Sequence, residues 1–190
     1  MIYPPINTEF FTVDKKVKKE PFFLIVSRLR PYKRIDIAIK AFNETKLPLL
    51  IIGEGSSKGA LKRVANRNIQ FLGKKTDEEI RAYYRRAQAL IFPTFEDFGI
   101  VPLEACACGT PVIAFRQGGT TETIVEGKSG TFFSPQTSDA LVETVIHFQA
   151  EDFKPDTVRK HALKFGTAEF INGLRRLIED VTKQKKKPAM

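Results

Sequence analysis

Apolar and polar positions change period along the chain. Short, continuously apolar runs alternate with longer stretches in which apolar residues return every three or four positions. The short runs are Phe22–Ser27 (FFLIVS), Leu49–Ile52, Ile69–Leu72, Ala89–Phe92, Val112–Phe115 and a smaller one at Gly130–Phe133. Each reads as a strand buried on both faces. The stretches between them read as helices. Lys33–Asn43 sets Ile35, Ala38, Ile39 and Phe42 on one face, and Ser57–Ala65 and Asp77–Ala87 follow. Thr76 caps the last of these, with Glu79 completing a capping box. A further helix starts near Gly99 and stops before Gly109, a residue suited to a helix end. A short helix is expected at Thr121–Glu126, and longer ones at Ser138–Phe148, Pro155–Phe165 and Ala168–Val181.

This alternation predicts a Rossmann-like, doubly wound α/β fold: a parallel sheet of about six strands with helices on both faces. A chain of 190 residues is long enough to bury such a core. Residues 1–20, with the stiff Pro4-Pro5 pair, are expected to form an inter-domain arm. Residues 21–166 are expected to form the ligand-binding domain and 167–182 a C-terminal helix, leaving 183–190 as a disordered basic tail. Ligands of such folds sit at the carboxyl ends of the strands. The loops of interest are therefore Ser27–Lys33, Gly53–Gly59, Gly73–Thr76, Pro93–Gly99 and Phe115–Thr120.

Charge and composition narrow the picture only a little. Lysine and arginine outnumber acids 31 to 22, a net charge of +9. KKVKK at Lys15–Lys19 and KQKKK at Lys183–Lys187 hold four of these charges each. Such runs are normally solvated linkers or tails, with attraction to an anionic membrane or polyanion as the alternative. No RNA-recognition, KH or zinc-finger pattern is present, so nucleic acid is not the expected partner. No apolar run approaches the roughly 20 residues of a membrane span, and MIYPPINTEF lacks the apolar centre of a signal peptide. The expected location is the cytoplasm, with the inner face of the membrane as a peripheral site. Cys106 and Cys108, two apart on one helix, point to different faces and read as reduced packing residues. His147 and His161 lie in late helices and read as structural. No Ser-His-Asp set, P-loop or metal-ligand spacing occurs.

The candidate chemistry lies in the loops. In EDFGIVPLEACACGTPV, Glu96 follows a strand, Gly99 permits a turn, and a helix begins near Ile100. The N–H groups of that helix start favour an anion. Glu104, one turn deeper, would repel phosphate but could accept two hydroxyls of a diol. Carboxylate, anion site and carboxylate together match a ligand built of sugar, diphosphate and ribose. The plain alternative is a solvated loop acid and an ordinary helix glutamate. In SRLRPYKR, Arg28 and Lys33 stand at the end of the first strand, where two cations can neutralise a diphosphate without a metal. Some of Arg28, Arg30, Lys33 and Arg34 must be surface charges, since four cannot converge. GEGSSKG at Gly53–Gly59 looks like a dinucleotide fingerprint but is one residue too long, and the nearest suitable acid, Asp77, is 24 positions beyond Gly53. It reads as a glycine-tolerant turn. In RQGGTTE, Gly118 and Gly119 could let backbone approach a ligand; equally, Thr120 or Thr121 could simply cap a helix.

Taken together, these blocks resemble the C-terminal, donor-binding domain of GT-B glycosyltransferases of the retaining group 1, or family 4, type. The resemblance covers Tyr3 to Asp180. EDFGIVPLEACACGTPVIA is similar to the family's E-x7-E signature, SRLRPYKRIDIAIKAF to its G-R-L-x-x-x-K-G block, and YPPINTEFF to the segment joining the two domains. PYKRIDIAI and EDFGIVPLEA look most like mannosyltransferases of polysaccharide biosynthesis. The resemblance implies that Arg28 and Lys33 hold the donor diphosphate, Glu104 the ribose and Glu96 the transferred sugar. It also implies that the backbone of Phe98, Gly99 and Ile100 contacts sugar and phosphate; Gly118 and Gly119 join the donor-binding candidates from the reading of their own loop. The base would lie near Gly73 and Lys75. GDP-mannose is the expected donor and UDP-glucose the second, without a metal ion. Two positions depart from the pattern: Ser27 replaces a usual glycine, and Arg34 stands where glycine is common, adding a phosphate contact or facing water.

A further departure concerns the N-terminal, acceptor-binding domain of such enzymes. The chain begins at the linker, so it is expected to be an excised domain or half of a split enzyme, unable to transfer sugar efficiently alone. Its partners would be that domain and, through it, a glycan or glycolipid acceptor. The family's last helix leans onto the other domain, so the apolar stripe Phe170, Ile171, Leu174 and Ile178 is expected to be partly exposed, or else packed on its own domain. Competing functions are a non-catalytic nucleotide-sugar-binding module, another GT-B activity such as an epimerase or phosphorylase, and a basic nucleic-acid binder. No pyridoxal-binding lysine motif supports the phosphorylase.

Overall fold

The computed structural model describes residues 2–185. Six strands form one sheet: β1 (Phe23–Val26), β2 (Leu49–Ile52), β3 (Ile69–Gly73), β4 (Leu90–Phe92), β5 (Val112–Phe115) and β6 (Gly130–Phe133). All neighbours pair in parallel, in the order β3-β2-β1-β4-β5-β6. This is the doubly wound order in which the chain reverses direction across the sheet between β1 and β4. The helices are α1 (Ile35–Thr45), α2 (Lys58–Val64), α3 (Asp77–Arg86), α4 (Ile100–Ala107), α5 (Thr120–Thr123), α6 (Ser138–His147), α7 (Pro155–Ala162) and α8 (Thr167–Lys185).

Strand periodicity divides the core into two layers. In β1, Leu24 faces one side of the sheet while Phe23 and Ile25 face the other. The first layer joins Leu24, Leu90 and Val112 to Tyr84 of α3, Leu103 and Cys106 of α4, and Val158 of α7. The second joins Ile25, Ile51 and Ile113 to Ile39 and Phe42 of α1 and Leu141 and Val145 of α6. Burial on both faces explains why the strands read as unbroken apolar runs. Cys106 and Cys108 are both buried and unpaired. Burial raises both thiols, that of Cys108 to about 12.

Local signals and structure agree at α3. Thr76 accepts from the N–H of Glu79 and the Glu79 carboxylate accepts from the N–H of Thr76, a complete capping box. Gly109 follows the end of α4 with φ +77°, the left-handed conformation that closes many helices.

Several boundaries differ from expectation. α1 begins at Ile35 rather than Lys33, because Pro31–Lys33 makes a separate 3-10 turn and Arg34 is left-handed, with φ 52°. That backbone would suit the glycine of the resembled sequence block at this position, since left-handed conformations cost glycine least. The Arg34 guanidinium reaches Asp36 at 3.4 Å and Gln136 at 3.3 Å. Pro155–Phe165 divides into α7 and a 3-10 turn at Leu163–Phe165. α5 is one turn, Thr120–Thr123, shorter than the expected Thr121–Glu126. α8 continues past Val181 to Lys185, so the basic run begins inside a helix; residues 186–190 of the expected tail lie outside the described residues.

The N-terminal arm packs down rather than standing free. Ile6 and Phe11 are buried. Arg159 of α7 holds the arm by donating to the carbonyls of Phe11 (2.7 Å) and Thr8 (2.9 Å). Lys19 also departs from the solvated reading of its run, because its ammonium turns inward to donate to Thr110 Oγ1 at 2.6 Å. On α8, Ile171, Leu174 and Ile178 are exposed. Among the described residues, no helix is long and apolar enough to cross a membrane.

Candidate functional site

Parallel strands joined by crossover helices bring the loops after β1 and β4 together at the carboxyl edge of the sheet. A cleft of about 590 Å³ opens there. The β1 loop supplies Arg28, Tyr32 and Lys33, while the β4 loop and the start of α4 supply Glu96, Phe98 and Ile100. The two loops are tied to each other by the buried Thr94 hydroxyl, which donates to the carbonyl of Lys33 at 2.9 Å. Gln136, beyond β6, donates to the carbonyl of Pro93 at 2.7 Å.

Charge is arranged unevenly in the cleft. The Lys33 ammonium pairs with the Glu96 carboxylate, and their side chains are only 14% and 26% exposed. Burial lowers the Lys33 pKa and the Arg28 guanidinium beside it lowers it further. A Lys33 so placed gains from any added negative charge. Arg28 is exposed at the mouth. Gly99 begins α4 with φ 89° and no side-chain cap. As first-turn groups, the N–H of Ile100 and of Val101 have no intrahelical acceptor, and both residues line the cleft. Two cations, a helix start and two carboxylates, Glu96 and the exposed Asp97, line the cleft and suit a ligand that carries both anionic and hydroxyl groups.

Arg28, Lys33, Glu96, Phe98, Gly99 and Ile100 thus come together, whereas Glu104, Gly73 and Lys75 do not line this cleft. Glu104 sits one turn further along α4 and faces α3, accepting from the Tyr84 hydroxyl at 3.2 Å. Burial raises its pKa to about 7, the Tyr84 hydrogen bond opposes this, and Asp77 adds to it. Gly73 ends β3 with φ +74°, its carbonyl accepting from the N–H of Gly53 at 2.8 Å. Lys75 pairs with Glu79 at 2.8 Å. Among the described residues no group of three or more His, Cys, Asp and Glu could hold a metal ion.

The glycine-bearing loops beside the cleft are close-packed. A Cβ on Gly119 would lie 2.3 Å from Phe98 Cα, and one on Gly118 2.5 Å from the Glu96 carbonyl. The N–H of Gly119 donates to that carbonyl at 2.8 Å. Here the close approach is to the β4 loop, and it fixes the backbone that carries Glu96. Neither threonine accepts as a cap: Thr120 donates to the carbonyls of Phe115 and Gln117, and Thr121 to that of Gly118. Gly53 and Gly55 do the same for the β1 loop, where a Cβ would lie 1.8 Å from the Ser27 carbonyl and 2.2 Å from that of Leu29.

Sequence reading missed the aromatic frame and Tyr84. Tyr3 of the arm stacks on Phe98 at 5.6 Å, and its hydroxyl donates to Glu122 at 2.9 Å. The Tyr32 ring lies 5.1 Å from the Lys33 ammonium. Tyr84 is 0% exposed. A fully buried tyrosine needs a partner for its hydroxyl, but nothing local names Glu104, 20 residues on. The histidines lie outside the cleft: His161 Nε2 is 2.9 Å from the Thr123 carbonyl, and His147 Nδ1 2.8 Å from that of Glu143.

Fold and cleft define a doubly wound α/β domain with an anion-suited site at its topological switch point. The family model described as "Glycosyl transferases group 1" matches residues 7–165, and the chain belongs to that family. A GDP-mannose-dependent alpha-(1-6)-phosphatidylinositol monomannoside mannosyltransferase of Mycolicibacterium smegmatis is 31% identical over 170 residues, spanning 75% of this chain and 44% of the relative. Sucrose-phosphate synthase of Thermosynechococcus elongatus superposes with a TM-score of 0.85 at 22% identity, over 96% of this chain and 52% of that one. HepE of Anabaena, solved with UDP and glucose, gives 0.77 at 20% identity, over 95% and 56%. These structures are GT-B glycosyltransferases. The chain spans about half the length of the curated relatives it matches.

Proposed function

We propose that this chain is the donor-binding half of a retaining glycosyltransferase and binds a nucleotide-sugar in the switch-point cleft. The observation that carries this reading is the convergence of Arg28, Lys33, Glu96 and the uncapped start of α4 on one cleft. Arg28, Lys33 and the helix start hold the diphosphate. During transfer the bond between the sugar's anomeric carbon and the diphosphate oxygen breaks, the electron pair stays on the diphosphate, and the acceptor's hydroxyl oxygen bonds the anomeric carbon as its proton passes to the departing diphosphate. Fixed cations in a partly buried cleft stabilise that developing charge. Glu96 accepts hydroxyls of the sugar once the donor's phosphate has drawn Lys33 from it. Glu104 accepts the ribose hydroxyls, with Tyr84 holding its carboxylate in place. The base lies toward Gly73 and Lys75, and Gly118 and Gly119 border the donor through the loop they support.

GDP-mannose is the donor proposed, supported by the PYKRIDIAI and EDFGIVPLEA blocks and by the 31% identical relative described as GDP-mannose-dependent. UDP-glucose is the second reading, supported by the solved complex of HepE with that donor. The acceptor, a glycan or glycolipid, is proposed to be presented by a second domain at the cytoplasmic face, since the chain spans only about half of its relatives. Calorimetric titration with GDP, UDP, GDP-mannose and UDP-glucose, beside Glu104→Ala, tests the reading. Selective binding of the guanosine pair, weakened in the variant, is expected. Failure of all four to bind would overturn the donor site, and preference for the uridine pair would replace the donor.

A further inference from the structure

A second cleft, of about 460 Å³, lies where the arm crosses the ends of α3 and α4 and meets the start of α7. Helices of parallel βα units run opposite to the strands, so the carboxyl ends of α3 and α4 mark the pole of the domain away from the switch-point cleft. Val13, Val17 and Pro155 give it an apolar wall. Its charged lining is Lys15, Lys19, Arg85, Lys154, Asp14 and Asp156.

The pairing of these charges leaves two cations over. Asp156 pairs with Lys15 at 2.9 Å and Asp14 with Arg85 at 3.8 Å. Lys19 and Lys154 have no ion-pair partner among the described residues. Lys154 is exposed at the rim, while Lys19 turns away from solvent to meet a single hydroxyl, that of Thr110. A partly desolvated ammonium without a counter-ion is unfavourable, and its burial pulls the Lys19 pKa down to about 8. Four cations against two carboxylates leave a charge of +2, which complements a phosphate monoester, close to −2 at neutral pH. A carboxylate would neutralise only half of it.

We propose that this cleft binds the phosphate group of a small phosphorylated molecule between Lys19 and Lys154, with the ligand's apolar part against Val13, Val17 and Pro155. The free metabolite and the headgroup of an anionic lipid share this chemistry.

The test is a titration of the full chain with inorganic phosphate, followed by backbone amide resonances. Saturable shifts are expected in residues 14–19, 108–110 and 154–157. Lys19→Met, which keeps the aliphatic stem, is expected to weaken them about tenfold, the loss of one charge-assisted contact. Any response of residues 28–33 and 96–100 reports the switch-point cleft and should persist in that variant, so the two sites fail separately. Lys154→Met at the exposed rim is the second variant, should Lys19→Met disturb folding. Absence of saturable shifts around the arm, or shifts unchanged in both variants, would overturn the proposal. Sedimentation with phosphatidylcholine vesicles, with and without phosphatidic acid, then decides the source. Lys19-dependent sedimentation with phosphatidic acid supports a lipid headgroup, and phosphate binding without it supports a free metabolite.

Discussion

The β4–α4 loop carries charge and leaves space in front of it; the β5–α5 loop carries two glycines and leaves none. Glu96, at the head of the first, borders a cleft of about 590 Å³. Gly118 and Gly119, in the second, press so closely on residues 96–98 that no side chain fits. The β1 and β2 loops repeat the pattern, with Arg28 and Lys33 in the cleft and Gly53 and Gly55 packed behind them. A glycine-rich loop after a strand suggests a ligand cradle. In this domain the glycines hold the neighbouring loops, and those loops line the cleft.

The contrast breaks most severely at Gly53. Its φ of 132° and the Ser27 carbonyl 1.8 Å from a modest Cβ leave no room for adjustment. Gly53→Ala should cost about 3 kcal/mol or more, through backbone strain and displacement of the β1 loop. Denaturant unfolding would read this as a lower midpoint, and an unchanged midpoint would refute the packing role.

Arg28→Ala should do the reverse. Arg28 is exposed, so stability should change by no more than about 0.5 kcal/mol. Nucleotide affinity should fall by about tenfold to a hundredfold with the lost charge-assisted contact. Calorimetry and denaturation on the same sample separate the two effects.

Glu104 sharpens the comparison through pH. Its folded pKa of about 7 lies above the ordinary 4.5, so the folded state binds the extra proton between these values. Stability should therefore fall as pH rises from about 4.5 to about 7, and level off above. Glu104→Gln should remove this slope and gain on the order of 3 kcal/mol at pH 8 relative to its difference at pH 4. Tyr84→Phe removes the hydrogen bond that opposes the shift. It should move the midpoint of nucleotide binding to higher pH, because the ionised carboxylate is the form proposed to accept ribose.

The smallest effect is expected at Arg34. Arg34→Gly relieves the left-handed backbone but loses two long polar contacts, so stability should change by about 0.5 kcal/mol in either direction. Nucleotide affinity should stay constant. A tenfold loss of affinity would place Arg34 among the phosphate-binding cations.

Much of this domain is local in origin. The apolar runs determined six strands, since only a sheet covered on both faces buries every residue of a run. The Thr76–Glu79 pair determined where α3 starts, because both partners lie within one turn. The order of blocks around Arg28, Lys33 and Glu96 marked loops that the fold brings to one cleft, because strand ends and helix starts are read from nearby residues. Tertiary structure alone decided the strand order that makes the loops after β1 and β4 neighbours. It decided that Glu104 turns to Tyr84, that Lys19 leaves its basic run for Thr110, and that the glycines of the β2 and β5 loops face backbone. Each of these depends on groups far apart in the chain. Burial and close approach are set by the whole packed domain, whereas periodicity and capping are set by a few adjacent residues.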